Sequence, residues 1–497
     1  MINKLNFIKG IEVTKVIPSN NIFSELGKNT YRLKDLLSEL IDNSIAARIE
    51  RQTLNINIAI YYNLESKPTK LIITDDAKGI SQDKLGTALS PAAIQTQNSL
   101  NEHGMGMKQA IAGIGRLEYL ATKVYGEENA RVILELRYGD IETYICNEFK
   151  NKCGTEICIV DINPIVTANA SNITKYLVPY LGARYRNYLK IDKKILNLKI
   201  DLINEDTNYV SNSWNVEQVK PIYFHPLLRV NRPVIINFPI IGDEWEAELT
   251  FGYAPANKDE LKELGLSKIQ TYEPYYVSLS KQGIDIIMHD RVILFHQLAE
   301  IGIVGAKHPS LNTIRGEINL KKGFSTAITK NSIIDSKNYQ ECIKKVIDIL
   351  TGKEIGPNGE KKDYIEMKTY PDRLPESLVR DRLAAWLTSN TLSPKRNVDI
   401  EYNIGGIDGY VDVLADNECW EIKIDQASAY DVYQLFMYMD IGEMQKGYLI
   451  AKSFTTGAKI ASEHIKKSHE KEIILDIINN YPINHPATLE ERQNYYK

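Results

Sequence analysis

Leu37–Ala47, LSELIDNSIAA, is the stretch from which the rest of the chain can be read. Leu33, Leu36, Leu37, Leu40 and Ile41 recur at three- and four-residue intervals, which predicts a helix with one apolar face. Glu39 and Asn43 stand one turn apart and project from neighbouring points on the same side, with Asp42 and Ala46 close to them. An acid beside an amide has the residue types of a water activator beside a metal ligand. On this helix alone the pair reads as a solvated polar face, so the decision falls to residues further along.

At 497 residues the chain is too long for a single core. Chain length sets a prior of about three domains. A hydrophobic content of 43% and a charged content of 25% are ordinary for a globular protein. The net charge of -4 gives no global basic field, so any nucleic-acid contact must come from local patches. The five cysteines, Cys146, Cys153, Cys158, Cys342 and Cys419, include no CxxC pair. That argues against a structural zinc site or a disulfide framework and suits a reducing cytoplasm. The opening MINKLNFIKG has no apolar signal-peptide core, and no run reaches membrane-spanning length. The expectation is a cytoplasmic, multidomain protein with no membrane segment.

Leu54–Tyr61 alternates like a half-buried strand, and residues 71–74, LIIT, predict a second strand running into Asp75-Asp76-Ala77-Lys78-Gly79. That order presents carboxylates at a sheet edge. Asn101-Glu-His-Gly-Met-Gly-Met-Lys108 follows, then a helical AIAGIG. Gly104 and Gly106 before a helix let backbone amides approach phosphate, and Lys108 adds a positive charge in the first turn. Leu89–Leu100 is polar and weakly periodic, which suits a lid. Gly154-Thr155 leads into a further strand, EICIVDI, which can bring a hydroxyl back to the same pocket.

The order ExxxN on a helix, DxxxG after a strand, GxGxK before a helix and GT before a strand resembles the GHKL ATPase superfamily, in detail its MORC and MutL branch. The resemblance covers about residues 20–165 and implies the Bergerat α/β sandwich. It implies that Glu39 polarises the attacking water and that Asn43 binds the Mg²⁺ that bridges the ATP phosphates. Asp75 would accept from the adenine amino group, with Gly79 letting the base approach. Gly104, Gly106 and Lys108 would hold phosphates, and Thr155 would support the adenine end. Ala77 stands where the family has a first glycine, which predicts a tighter adenine turn, and Ala46 where it often has an acid.

Residues 170–350 predict alternating strands and helices: 177–189, 236–240, 246–253, 275–280 and 284–295. Gly283–Ile293 is similar to a strand–turn–strand of MORC proteins, which implies an S5-like α/β transducer domain. In that group one lysine of the second domain reaches the γ-phosphate. By position Lys330, in Thr326–Asn331, is the first candidate and Lys281 the second. Arg184, Arg186, Lys190, Lys193 and Lys194, interleaved with Tyr185 and Tyr188, form a basic–aromatic cluster. It reads either as a DNA-backbone track or as an exposed helix face.

Thr351–Pro375 reads as a linker, followed by a helix with Glu376 in its first turn. Tyr410–Leu414, a turn at Ala415–Glu418, and Cys419–Ile424 predict a β-hairpin. Alternation places Asp412, Glu421 and Lys423 on one face and apolar residues on the other. Charges flanked by buried-type residues need a metal or each other. In the next helix, Ser428–Ile441, Gln434 and Tyr438 stand one turn apart. Gly447–Phe454 predicts a further strand, and ASEHIKKSHEKEIILDII a charged helix.

D…ExK…QxxxY resembles the PD-(D/E)XK nuclease superfamily over about residues 374–480, which implies a restriction-endonuclease-like α/β domain. On that resemblance Glu376, Asp412 and Glu421 are metal ligands, Lys423 positions or deprotonates the water, and Gln434 and Tyr438 support the site. The Pro of the motif name is absent, because Val411 precedes Asp412.

The chain as a whole is thus expected to be a multidomain α+β and α/β protein with four parts: ATPase 1–165, transducer 166–350, linker 351–374 and nuclease 375–497. The expected function is an ATP-gated, metal-dependent DNA endonuclease. ATP and Mg²⁺ would be its cofactors, Mn²⁺ would also serve the nuclease site, and it would form a homodimer through the ATPase domain. Domain combination suggests prokaryotic defence against foreign DNA, by analogy alone. The rival readings are an ATP-dependent DNA clamp whose nuclease fold binds without cutting, and a chaperone-like ATPase, which the C-terminal hairpin argues against.

Overall fold

The computed structural model describes residues 19–28, 31–93, 104–164, 166–167, 169–192, 194–266, 273–326, 332–367, 374–405 and 409–495. The chain divides into two compact units, Met1–Phe224 with Asn231–Pro357, and His225–Val230 with Asn358–Lys497.

An eight-stranded sheet organises the first unit. Its strands are β1 (Leu54–Tyr62), β2 (Pro68–Asp75), β3 (Arg116–Lys123), β4 (Ala130–Ile133), β5 (Tyr144–Cys146), β6 (Gly154–Val160), β7 (Leu196–Asn204) and β8 (Val210–Asn215). They lie in the order β5-β4-β3-β6-β2-β1-β7-β8. Only the β1–β7 pair is parallel. The sheet therefore runs on to Asn215, past residue 165 where the ATPase domain was expected to end.

The helix Leu33–Ala46 covers this sheet. Asp35 in its first turn accepts the Arg32 N–H and favours the positive end of the helix dipole. Leu36, Leu37, Leu40, Ile41 and Ile45 pack with Ile58, Ile73, Ile111 and Ile200 in one core. The helix Gly106–Ile114 lies alongside, and a Cβ on Gly113 would come within 2.7 Å of Leu36, so glycine permits that approach.

A second sheet follows: β9 (Ile235–Ile241), β10 (Glu246–Tyr253), β11 (Gly283–Met288), β12 (Arg291–Gln297) and β13 (Ile314–Lys322), in the order β12-β11-β13-β10-β9. The helix Lys337–Leu350 buries Cys342, Ile343, Val346 and Ile349. Residues 275–280 are not a strand. They form turns ending in the short helix Leu279–Lys281, and the buried Tyr275 hydroxyl bonds Asp285 rather than continuing a sheet.

The basic–aromatic cluster proves to be interior, against both sequence readings. Arg184, Tyr185, Arg186 and Tyr188 are all buried. Lys190 is half-buried, Lys194 is exposed, and Lys193 lies outside the described residues. Arg186 donates to Asp285 at 3.0 Å, Glu317 at 2.9 Å and the Tyr275 hydroxyl at 2.7 Å. The Tyr188 hydroxyl donates to the His289 carbonyl at 2.7 Å. Acids on sequence-distant strands neutralise these cations, and a sequence window cannot reveal that pairing.

In the second unit, the strands β14 (Val398–Asn403), β15 (Tyr410–Ala415), β16 (Glu418–Ala427), β17 (Lys446–Phe454) and β18 (Glu472–Ile477) form one sheet in chain order. β14, β15 and β16 pair antiparallel, and β16, β17 and β18 parallel. The helix Glu376–Ser389 packs Leu378, Val379 and Leu383 on Val413, Trp420 and Ile422. The helices Ala429–Ile441 and Thr456–His469 pack Val432, Leu435 and Ile465 with Cys419, Leu449 and Ala451. Both faces are therefore covered, not one. The charged C-terminal helix ends at His469, because Glu470 adopts a left-handed conformation (φ 56°) and the apolar EIILDI turns into a strand. Among the described residues no helix is long and apolar enough to cross a membrane.

Arg186→Met strands Asp285 and Glu317. Denaturant unfolding is expected to show a loss of about 3–5 kcal/mol, the usual cost of removing one partner from a buried ion pair.

Candidate nucleotide-binding and carboxylate sites

Six residues from four separate motifs, Asn43, Asp75, Gly79, Gly104, Lys108 and Thr155, line one cavity of about 390 Å³ in the first unit. Asp75 ends β2 with its carboxylate buried. Its Oδ2 accepts from the Ser44 hydroxyl at 2.6 Å, and its Oδ1 accepts the Ala77 and Thr155 N–H groups, each at 3.0 Å. Burial pushes the Asp75 pKa up, against those three donors. Three donors thus fix Asp75 and leave one Oδ2 lone pair for a ligand amino group. Ala77 fits because only its N–H is used and its methyl is buried.

Gly79 (φ 71°) must be glycine, because a Cβ there would stand 2.1 Å from the Lys123 carbonyl. Gly154 (φ 129°) meets the same limit, 2.0 Å from the Asp75 carbonyl. The buried Thr122 hydroxyl accepts the Ile80 N–H at 2.8 Å and lies 3.2 Å from the Thr155 hydroxyl. Ser44 and Thr122 carried no signal as single residues, although Ser44 adjoins Asn43 in the opening stretch.

At the other end Lys108 is 2% exposed, and its ammonium donates to the Gly104 carbonyl at 2.8 Å. Among the described residues no carboxylate is paired with it, and burial pulls its pKa down to about 8. A buried cation facing a cavity fits an anionic ligand. Asn43 Oδ1 is buried with no hydrogen-bond donor, as the acceptor of a Mg²⁺ site would be. Glu39, 3% exposed, does not line the cavity but lies against its glycine loop. A Cβ on Gly106 would sit 2.1 Å from Glu39 Oε2, so glycine gives the carboxylate its seat.

Lys330 lies outside the described residues, as does most of the expected lid at Leu89–Leu100. Lys281 pairs with Glu273 at 2.7 Å and does not line the cavity. A larger groove of about 1730 Å³, with Asn57, Tyr61, Thr74 and Tyr119, covers the opposite face of the sheet and is lined by none of Glu39, Asn43, Asp75, Gly79, Gly104, Lys108 and Thr155.

In the second unit, Lys423 lies 3.0 Å from Glu421 and 3.7 Å from Glu376. Asp412 Oδ2 accepts the Ile422 N–H at 2.8 Å, which turns its side chain into the β15–β16 pair. Burial, then the Asp412 charge, lifts Glu421 to about 7 although Lys423 pulls the other way. Burial raises Asp412 too, with Glu376 adding to the shift. Glu421 Oε2 is buried without a hydrogen bond, so the donor set suits a divalent cation. Among the described residues, however, no three His, Cys, Asp or Glu side chains stand together as a metal-holding group. Gln434 donates to the Tyr438 hydroxyl at 3.0 Å, within its own helix and not to the carboxylates.

The first unit thus presents a pocket whose acid, glycines and buried lysine suit a purine nucleotide with phosphates. Residues 31–152 match a sequence model of the histidine kinase-, DNA gyrase B-, and HSP90-like ATPase family. The match supports a GHKL-type ATPase region with ATP binding and hydrolysis. No curated protein matches the chain.

Gly154→Ala is expected to abolish nucleotide binding in a fluorescent-ATP titration, because its Cβ displaces Asp75. Lys108 is charged below about 8 and neutral above it. ATP affinity is therefore expected to weaken as pH rises from about 7 to about 9, with proton uptake on binding in calorimetry. Lys108→Met is expected to bind weakly at both pH values.

Proposed function

We propose that the protein is an ATP-gated, metal-dependent DNA endonuclease: a GHKL ATPase domain whose sheet runs on to Asn215, an S5-like transducer up to about 350 and a restriction-endonuclease-like domain from about 375. The observation that carries the second activity is the convergence of Glu376, Asp412, Glu421 and Lys423 in the second unit, with the Glu421 carboxylate buried.

Glu39 orients and deprotonates the water that attacks ATP, and Lys108 holds phosphate oxygens. Asp75 selects adenine, with Ser44 and Thr155 fixing it. Asn43 would hold Mg²⁺, which would supply neutralisation of phosphate charge. In the second unit Asp412, Glu421 and Glu376 would have to draw closer together to hold Mg²⁺ or Mn²⁺, which would stabilise phosphate charge, and Lys423 would orient the water. Gln434 and Tyr438 brace the helix behind them. ATP-driven dimerisation through the ATPase domain would bring two nuclease domains to one duplex, and a cytoplasmic defence role fits that design. Lys423 pairing with both Glu421 and Glu376 favours one other reading, a DNA clamp whose second unit binds without cutting.

Plasmid cleavage with Mg²⁺ or Mn²⁺ decides between them. Cleavage that needs ATP is expected, lost in Asp412→Ala and Lys423→Ala with DNA binding retained. Glu39→Ala is expected to keep ATP binding and lose turnover, by about 10²-fold or more as for removal of a general base. Binding with no cleavage under any metal establishes the clamp.

A further inference from the structure

The helix that carries Glu39 and Asn43 is gripped from behind. Asp42, between them in sequence, is fully buried and does not line the nucleotide cavity. Its Oδ2 is ion-paired to Arg291 at the start of β12, and Arg291 is only 1% exposed. Its Oδ1 accepts from the buried Tyr185 hydroxyl at 2.8 Å. The same hydroxyl stands 3.0 Å from the Ser38 carbonyl. One phenol therefore touches the residue before Glu39 and the residue before Asn43. The turn leading into β12 is fixed in its own right, since the Tyr188 hydroxyl holds the His289 carbonyl. Arg291, Tyr185 and Tyr188 all lie beyond residues 31–152, the stretch that matches the ATPase family.

We infer that Arg291 and Tyr185 are positioning residues for ATP hydrolysis, acting through Asp42 to fix the rotation and height of the helix. This rests on the ATPase reading of the pocket. The groups that bind nucleotide, Asp75, Gly79 and Thr155, sit on other elements, the ends of β2 and β6 and the turn after β2. Glu39, which activates the water, and Asn43, the Mg²⁺ ligand of that reading, sit on the helix. Loosening the grip displaces Glu39 and Asn43, while Asp75 keeps the Ala77 and Thr155 N–H groups that hold it apart from the helix. The signature is a fall in kcat without a matching loss of nucleotide affinity.

Four full-length proteins test this: wild type, Tyr185→Phe, Arg291→Lys, and the doubly neutral Asp42→Asn/Arg291→Gln, which removes both members of the ion pair together. Turnover is measured beside the Kd of a non-hydrolysable ATP analogue and the melting temperature. Displacing a catalytic group by about 1 Å can lower a rate about 10²-fold. Tyr185→Phe and the double variant are expected to lose about 10- to 100-fold in kcat, with Kd within about 3-fold of wild type. Arg291→Lys, which keeps the charge but not the fork, is expected to fall between them and wild type. Should the double variant fail to fold, Tyr185→Phe decides alone. Unchanged kcat in folded Tyr185→Phe overturns the inference. So does an equal loss of kcat and affinity, the mark of general damage. A wild type that binds the analogue but never turns over ATP overturns the hydrolysis reading itself, and this inference with it.

Discussion

A helix that carries polar side chains into a nearly dry interior must find each of them a partner. That constraint shapes the first unit. Ser38, Glu39, Asp42 and Ser44 on Leu33–Ala46 are all at most 5% exposed, yet the same helix supplies Leu36, Leu37, Leu40 and Ile41 to the core. An unpaired buried charge costs several kcal/mol, so the surroundings are built to answer each group. Ser44 turns to Asp75 and joins the helix to the end of β2. Asp42 turns to Arg291 and Tyr185 and joins it to the second sheet. Glu39 is seated against Gly106. One helix thereby connects the nucleotide cavity with elements more than two hundred residues further along the chain.

Much of this pocket was legible in the sequence, because its signals are local. Glu39 and Asn43 follow helix periodicity, Asp75 ends an alternating strand, and Gly104, Gly106 and Lys108 open a helix. Short motifs of this kind survive without knowledge of the fold. What escaped is whatever depends on pairing across long separations. Arg184 and Arg186 look like a nucleic-acid patch when only Tyr185, Tyr188 and nearby lysines are in view. Asp42, Asp285 and Glu317, which neutralise them or their neighbours, come from other elements. Thr122 escaped for the same reason, as nothing in Arg116–Lys123 announces that its hydroxyl meets Thr155.

The second unit shows the opposite balance. The hairpin was legible from alternation, although its strands run longer than read: Ala415 pairs with Glu418, where the turn was expected, and the second strand continues to Ala427. Alternation alone implied one polar face, yet helices cover both sides, so Asp412 and Glu421 are costlier charges than a half-open hairpin would make them. Burial holds Glu421 at about 7. A folded protein keeps such groups close only if something offsets the penalty, and here Lys423 does so in part.

The account rests most directly on the claim that the cavity beneath Leu33–Ala46 is an ATP site. Calorimetric titration of a non-hydrolysable ATP analogue with Mg²⁺, into wild type and Asp75→Asn, measures this. Saturable binding by wild type, lost in Asp75→Asn and absent for the GTP counterpart, is the result the geometry predicts. Absence of binding by folded wild type, or equal binding of both nucleotides by both proteins, would contradict it.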